Sequence, residues 1–299
     1  MLASLLTAIG FSLSVIFAAR SARILGGPTA NLARLSLAAV LLAVWAHGFG
    51  RGLSGGGLPW FFLSGVIGFG LGDMALFGAL ERIGPRLSIL LTQCLAAPIA
   101  AFAEWWWLGT TLHTREIAFA AVILAGVGLA LAPDHGWEGD RRTFWLGALL
   151  GLGSAIGQAL GAVVSRKANI VATLSGTALD GGTAAYQRIL GGMLVTALAF
   201  CLVKQMRPAR GELNAAKWRR AWPLVIANAL AGPALGVACY QWALSDTPTG
   251  IVLAIVAMSP LLTVLLTWLI DGTRPTRRTS LGSVLAVAGV AGLKYISAA

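Results

Sequence analysis

The sequence predicts an all-helical integral membrane protein with ten transmembrane helices, arranged as two inverted repeats of five helices. Three observations support this fold class. Only 11% of the 299 residues are charged, whereas a soluble domain carries roughly 25%. Apolar runs long enough to cross a bilayer follow one another along the chain, separated by short loops. The two halves of the chain also repeat the same rare residues in the same order.

Each apolar run approaches the length of about 20 residues that crosses the hydrocarbon core of a bilayer. Backbone polar groups in lipid must bond within their own segment, so the runs are predicted to be helices. Strands of a membrane barrel would alternate apolar and polar residues, and these runs do not alternate. The predicted helices lie near 2–19, 29–47, 58–80, 86–107, 116–132, 143–165, 183–203, 221–245, 248–270 and 279–297.

The repeat is visible in residues that are uncommon in a chain rich in Ala and Leu. The stretch 71–80 aligns with 235–244, and each is followed by a helix that contains one proline, Pro98 or Pro260. Prolines at matching places bend both helices, which suits a rocking motion of one half against the other.

The same alignment pairs Arg34 with Arg188, each near the start of the second helix of its half. Five helices per half is an odd number, so the second half must enter the membrane from the opposite face. We therefore expect the first repeat to cover 1–136 and the second to cover 137–299.

Charge and cysteine content restrict the partners. The net charge is +11, but Lys and Arg lie mostly in short loops between apolar runs. Such residues set membrane topology and contact anionic lipid head groups, so lipid is expected as a partner and nucleic acid is not. The three cysteines lie in apolar runs without CxxC spacing. They indicate neither a disulfide framework nor a metal site, and no metal or cofactor is expected.

These paired motifs resemble the drug/metabolite transporter superfamily, in its EamA-type branch of ten-helix, two-repeat proteins. The resemblance rests on the paired arginines, the paired prolines and a repeated glycine followed by Ala-Leu, at Gly72 with Ala79-Leu80 and at Gly236 with Ala243-Leu244. It implies a transporter of small metabolites, amino acids or drug-like solutes, with a central cavity between the halves. Many relatives act as exporters.

Four charged residues lie within predicted helices: Arg34, Asp73, Glu104 and Arg188. A charge at a helix centre costs roughly 2.5–3.5 kcal/mol on insertion scales, so these residues are expected to pair. Their depth in the membrane predicts that Arg34 pairs with Asp73 toward one face and that Arg188 pairs with Glu104 toward the other. Asp73 has two possible roles: it binds the substrate or a proton, or it is half of a structural ion pair. Glu104 lies beside the Trp cluster 105–107 and is expected to be structural.

Uncharged polar residues in the middle of predicted helices are further candidates for substrate binding. They could bind a solute in a water-filled cavity, or bond one helix to another, which is worth about 0.6 kcal/mol on average. Together with Asp73, the candidate substrate-binding residues are Gln93, Gln158, Tyr240, Gln241 and Ser259.

These features predict a secondary transporter, an exporter or exchanger of small solutes that works by alternating access. We expect it to be a monomer in the cell's inner membrane, without catalytic residues. The chain contains no nucleotide-binding motif. The alternative is a membrane enzyme acting on a lipid-linked substrate, which would need acids, histidines or metal ligands clustered at an interface. The three histidines lie in separate loops.

Loop charges predict the orientation. We name the membrane face at which the first helix begins face one, and the opposite face, face two. Loops on face one hold 5 Lys and Arg residues and loops on face two hold 15. Positive loops stay in the cytoplasm, so face two is predicted to be cytoplasmic and both termini external. The family resemblance implies the reverse orientation, and we expect the one that the charges indicate.

Overall fold

The computed structural model describes residues 1–132, 140–206, 215–272 and 276–298. Regular secondary structure in these ranges is entirely helical. Nine helices within the described ranges are long and apolar enough to cross a membrane. The longest has 51 residues, Leu58–Leu108, about twice the length that one crossing requires. It contains two crossings, divided at Gly84, and the predicted fold class is confirmed.

The crossings are named spans 1 to 10 in chain order. Spans 1 and 2 are the helices Leu2–Leu25 and Gly27–Gly48. Span 3 comprises Leu58–Gly65, a π-helical turn Val66–Gly72 and the part of helix Asp73–Leu108 before Gly84, and span 4 is the remainder of that helix. Spans 5, 6 and 7 are Thr114–Leu131, Arg141–Leu174 and Gly181–Met206.

The last three spans follow in the second half. Span 8 comprises Ala215–Ala229, a second π-helical turn Leu230–Gly236 and Val237–Asp246. Span 9 comprises Thr249–Val256 and Ser259–Asp271, and span 10 is Arg277–Ala298.

Spans 3 and 4 are joined without an intervening loop. The backbone of Gly84 has φ 74° and ψ 168°, a conformation that glycine reaches without a side-chain clash. Pro85 follows and has no N–H to donate. The Gly84 carbonyl accepts a hydrogen bond from the Ser88 hydroxyl at 2.7 Å, at the start of span 4. This pair of residues breaks the helix and lets the chain turn back into the membrane.

The two π-helical turns occupy matching positions in the repeats. Each ends at the glycine that opens the repeated motif, Gly72 in span 3 and Gly236 in span 8. A π-helical turn is a rare irregularity that is frequent at functional sites. The two halves therefore share backbone geometry as well as sequence.

The first span of each half packs against the opposite half. Span 1 packs on spans 8 and 9, and span 6 packs on spans 3 and 4. A Cβ atom on Gly157 of span 6 would lie 2.6 Å from the Cα of Gly72, and one on Gly10 of span 1 would lie 3.1 Å from the Cα of Gly236. Glycine allows this approach of two backbones, and the two halves interlock.

The surface and the interior follow the membrane environment. The ends of the molecule carry exposed aromatic side chains, including Trp105, Trp106 and Trp107, as expected of residues at a lipid–water interface. Span 9 is enclosed by its neighbours, and every residue of its first helix, Thr249–Val256, is buried. The apolar core is centred on this helix, and spans 4, 5, 6, 8 and 10 pack buried side chains against it.

Candidate functional site

A cavity of about 680 Å³ lies between spans 2, 3 and 7. Gly27 and Pro28 at the start of span 2 and Glu81 near the end of span 3 line it, so its mouth is on face two. Its volume is in the range that holds a small organic molecule. Phe69, Met74, Phe77 and Phe200 form its apolar wall, and Asn31, Asp73, Glu81 and Thr196 supply its polar groups.

Asp73 is the first residue after the π-helical turn of span 3 and is half-buried in the cavity wall. Its carboxylate interacts electrostatically with the guanidinium groups of Arg34 and Arg188. Arg34 Nε donates a hydrogen bond to Asn31 Oδ1 at 2.8 Å. Arg34 and Asp73 are thus electrostatic neighbours, but the direct ion pair predicted between them is not formed in the described part of the chain.

Arg188 in span 7 is buried at the inner end of this region, with 4% of its surface exposed. The carbon of its guanidinium lies 4.9 Å from the centre of the Phe69 ring and 5.2 Å from that of Tyr240. The guanidinium also donates a hydrogen bond to the Tyr240 hydroxyl. Two aromatic rings at these distances stabilise a cation through their negative faces.

The expected pairing of Arg188 with Glu104 is wrong. Glu104 Oε1 accepts a hydrogen bond from Arg166 Nε at 2.8 Å, and its Oε2 accepts one from the backbone N–H of Thr249. Arg166 was expected in a loop because the predicted sixth helix ends at residue 165. Span 6 continues to Leu174, so Arg166 lies on the helix, where its side chain reaches Glu104.

The Glu104–Arg166 pair ties four spans together on face one. Arg166 Nη1 donates hydrogen bonds to the carbonyl oxygens of Leu244 at 2.8 Å and Ser245 at 3.1 Å, at the end of span 8. Glu104 belongs to span 4, and its bond to Thr249 holds the start of span 9. A buried pair with all these bonds is costly to break.

Further contacts on face one join the first half of the chain to the second. Trp45 Nε1 donates a hydrogen bond to Asp180 Oδ1 at 2.8 Å, and the backbone N–H of Gly56 donates one to Thr177 Oγ1 at 3.1 Å. Gln187 Nε2 donates to the carbonyl oxygen of Gly52 at 3.0 Å. The chain between spans 2 and 3 is therefore fixed to the chain between spans 6 and 7.

Asp180, which accepts the hydrogen bond from Trp45, lies outside the membrane-spanning segments. Partial burial raises the pKa of its carboxyl group, but hydrogen bonds from Thr183, Trp45 and Gly182 outweigh burial, and the pKa lies below its ordinary value. Asp180 is therefore a carboxylate at neutral pH, and its side chain also accepts from the backbone N–H of Thr183 at the start of span 7.

The remaining predicted substrate-binding residues lie outside the cavity wall. Gln158 Nε2 donates to Gln93 Oε1 at 3.4 Å, which links span 6 to span 4. Gln241 Nε2 donates to Ser165 Oγ at 3.1 Å. Tyr240 lies against Arg188, behind Phe69. Of the six candidates, Asp73 lines the cavity. Tyr240 contacts Arg188, which in turn contacts the cavity residue Phe69.

Ser259 and the two predicted helix bends, at Pro98 and Pro260, affect the shape of spans 4 and 9. Span 9 is interrupted at 257–258, directly before Ser259 and Pro260. Pro260 cannot donate to the carbonyl of Val256, and the Ser259 hydroxyl donates to that oxygen instead. Pro98 lies within a continuous helical stretch of span 4. The hinge role of the two prolines stays a prediction.

Three aromatic residues of the cavity, Phe69, Phe77 and Phe200, were missed because an apolar residue in an apolar helix carries no signal of its own. Phe69, Asp73 and Phe77 are spaced by four residues, so they share one helix face and line the cavity together. An intramembrane acid flanked at this spacing by aromatic residues was the available signal.

In the described residues, apolar spans form two repeats and three of these spans line a cavity that contains an intramembrane acid, which defines a polytopic membrane protein with an internal binding site for a solute. The model of the EamA-like transporter family matches residues 1–132 and 145–295. The chain belongs to the EamA-like transporter family, which confirms the resemblance seen in its sequence, and members of this family carry small solutes across membranes.

One solved crystal structure shares this fold with a TM-score of 0.70. The two sequences are 20% identical, and the match covers 97% of this chain and 96% of the other. The likeness at this identity establishes the fold. The comparison with curated proteins gives no match.

Proposed function

We propose that this protein is a secondary transporter that moves small solutes by alternating access, as an exporter or exchanger. Its substrates are small metabolites such as amino acids or drug-like molecules. It works as a monomer in the inner membrane of the cell, surrounded by lipid and without a nucleic-acid partner.

The observation that supports the proposal is the difference between the two faces. The cavity with Asp73 opens on face two. On face one, the Glu104–Arg166 pair and the Trp45–Asp180 contact hold spans of the two halves together. A solute can reach Asp73 from face two, and its release on face one requires these contacts to open. This asymmetry supports an alternating-access cycle, in which one end state is open on face two and closed on face one.

Transport by purified protein in liposomes is the direct test. A screen of radiolabelled amino acids, amines and nucleosides, with and without a pH gradient, is expected to show exchange of at least one class across the bilayer. Liposomes without protein are the control. Exchange of no class under either condition would contradict the proposal.

A covalent bridge across face one tests alternating access separately. In a background without the native cysteines, Gly56→Cys and Thr177→Cys place one thiol on each side of a contact 3.1 Å long. A short bismaleimide is expected to abolish exchange by the double variant, because face one can no longer open. Each single variant treated in the same way is the control. Undiminished exchange by the bridged protein would exclude opening at this position.

A further inference from the structure

Arg188 is a buried cation with unused hydrogen-bond donors. Its Nε and Nη1 atoms have no hydrogen-bond partner in the described part of the chain, and its bond to Tyr240 is made by the same guanidinium. Buried donors without acceptors are costly, and more so on a charged group. A structural arginine in a membrane span would be expected to place these donors on carbonyl or carboxylate oxygens.

The guanidinium is packed beside the cavity, between aromatic side chains of two spans. Phe69 lies on one side and belongs to span 3, and Tyr240 lies on another and belongs to span 8. Gly68 leaves room for the group, since a Cβ there would lie 2.8 Å from Arg188 Nη2. Phe69 also lines the cavity, so one aromatic side chain separates Arg188 from a solute bound there.

The charges of this region do not balance. Arg34 and Arg188 carry two positive charges, and Asp73 is the acid that interacts with both. One positive charge is thus in excess within the membrane. Glu81 also lines the cavity, but it is exposed at the mouth, where water screens it. A ligand with a single negative charge would neutralise the excess, whereas a doubly charged phosphate would reverse it.

From these observations we propose that Arg188 binds a carboxylate group of the transported solute at the inner end of the cavity, after the Phe69 ring has turned aside. The proposal rests on the transport function proposed above and assigns its substrate class. The solute carries an apolar body that contacts Phe69, Phe77 and Phe200, and a carboxylate that receives hydrogen bonds from the guanidinium. Both a simple carboxylate and a zwitterion fit this chemistry, the second with its cationic group toward Asp73.

Four probes with one carbon skeleton test the proposal on the unaltered protein. They are 3-phenylpropanoate, phenylalanine, 3-phenylpropanol and 3-phenylpropylamine, each added at millimolar concentration to purified protein. Thermal unfolding is followed by tryptophan fluorescence. A ligand that binds the folded state raises the unfolding midpoint. We expect a rise with 3-phenylpropanoate, with phenylalanine or with both, and not with the alcohol or the amine.

Variants assign the effect to Arg188. Arg188→Gln is expected to weaken carboxylate binding on the order of 10- to 100-fold, the loss of one charge-assisted contact. Arg188→Lys keeps the charge but not the planar donor group, so an intermediate affinity is expected. Arg115→Gln is the control, because it removes an exposed arginine at the start of span 5 on face one, opposite the mouth of the cavity. It is expected to keep the preference for carboxylates.

Three results would overturn the proposal: equal stabilisation by the alcohol, stabilisation by the amine but by neither carboxylate, or no stabilisation by any probe. A folded Arg188→Gln protein with an undiminished preference for carboxylates would do the same. If the protein transports amines or neutral solutes and carboxylates have no effect, the role of Arg188 is wrong and the transport function stands. Selective carboxylate binding without flux in any liposome assay would instead contradict the transport function alone.

Discussion

Asp73 and Glu104 are both acids within membrane spans, but their surroundings differ. Asp73 lines a cavity and shares its charge between two arginines at a distance. Glu104 is 2% exposed and uses both carboxylate oxygens in direct hydrogen bonds. The first can exchange partners when a solute arrives, whereas the second is committed to the packing of spans 4, 6 and 9.

We therefore expect Asp73→Asn to impair transport more than Glu104→Gln does. Loss of a charged partner in the cavity is expected to lower the exchange rate roughly 10- to 100-fold. The measurement is solute exchange in liposomes with equal amounts of folded protein. A well-folded Asp73→Asn variant with full exchange would remove Asp73 from the mechanism.

The Glu104–Arg166 pair is expected to contribute mainly to stability. Glu104→Gln leaves Arg166 without its counter-charge and is expected to lower the free energy of unfolding by about 3–5 kcal/mol. Adding Arg166→Gln should recover part of that loss, since it removes the uncompensated charge. The unfolding midpoints of both single variants and the double variant measure the coupling. Strictly additive losses would show that the two side chains do not stabilise each other.

At the scale of the helices, the contact of Gly157 with Gly72 fixes the distance between spans 6 and 3. A methyl group at 157 would lie 2.6 Å from the Cα of Gly72, so Gly157→Ala is expected to force the spans apart. Gly128 in span 5 has open space around its Cβ position. It is the matched control, because Gly128→Ala adds the same methyl group without a clash.

The expected result is a lower unfolding midpoint for Gly157→Ala and an unchanged or higher one for Gly128→Ala. Alanine is favoured over glycine within a helix by about 1 kcal/mol. In Gly157→Ala the clash outweighs this gain, and in Gly128→Ala nothing opposes it. Equal midpoints for the two variants would mean that spans 3 and 6 can separate at little cost.

The sequence predicted the helices more reliably than their irregularities. Apolar runs identify spans because lipid requires internally bonded backbone. The π-helical turns at 66–72 and 230–236 could not be predicted, since a π-helical turn depends on what packs beside it, here Gly157 and Gly10 of the opposite half. The break at Gly84 had a local signal in the dipeptide Gly84-Pro85, which lay between two predicted helices and reads as a turn.

The charged residues show the limit of sequence reasoning more sharply. Depth along the helices placed Arg34 and Asp73 at the same face, and the two are electrostatic neighbours. The same reasoning failed for Glu104 because its partner, Arg166, was assigned to a loop when the sixth helix was predicted to end at residue 165 and not at Leu174. Pairing depends on the arrangement of spans 4 and 6 around each other, which composition and periodicity do not contain.

For the whole molecule, the excess of Lys and Arg on face two predicts the orientation. The count predicts that face two is cytoplasmic, so the cavity described above would open to the cytoplasm. A C-terminal fusion to green fluorescent protein or to alkaline phosphatase measures the orientation. We expect phosphatase activity outside the cell and no fluorescence. Fluorescence without phosphatase activity would show that the cavity opens to the exterior instead.

The crossed packing of the first spans has a consequence for biosynthesis. Span 1 is translated well before spans 8 and 9, on which it packs. Spans 3 and 4 likewise wait for span 6, whose glycines fill the groove beside Gly68 and Gly72. Neither half can complete its packing before the other has been inserted. The order of translation therefore leaves an open glycine-lined groove in the nascent protein until its second half arrives.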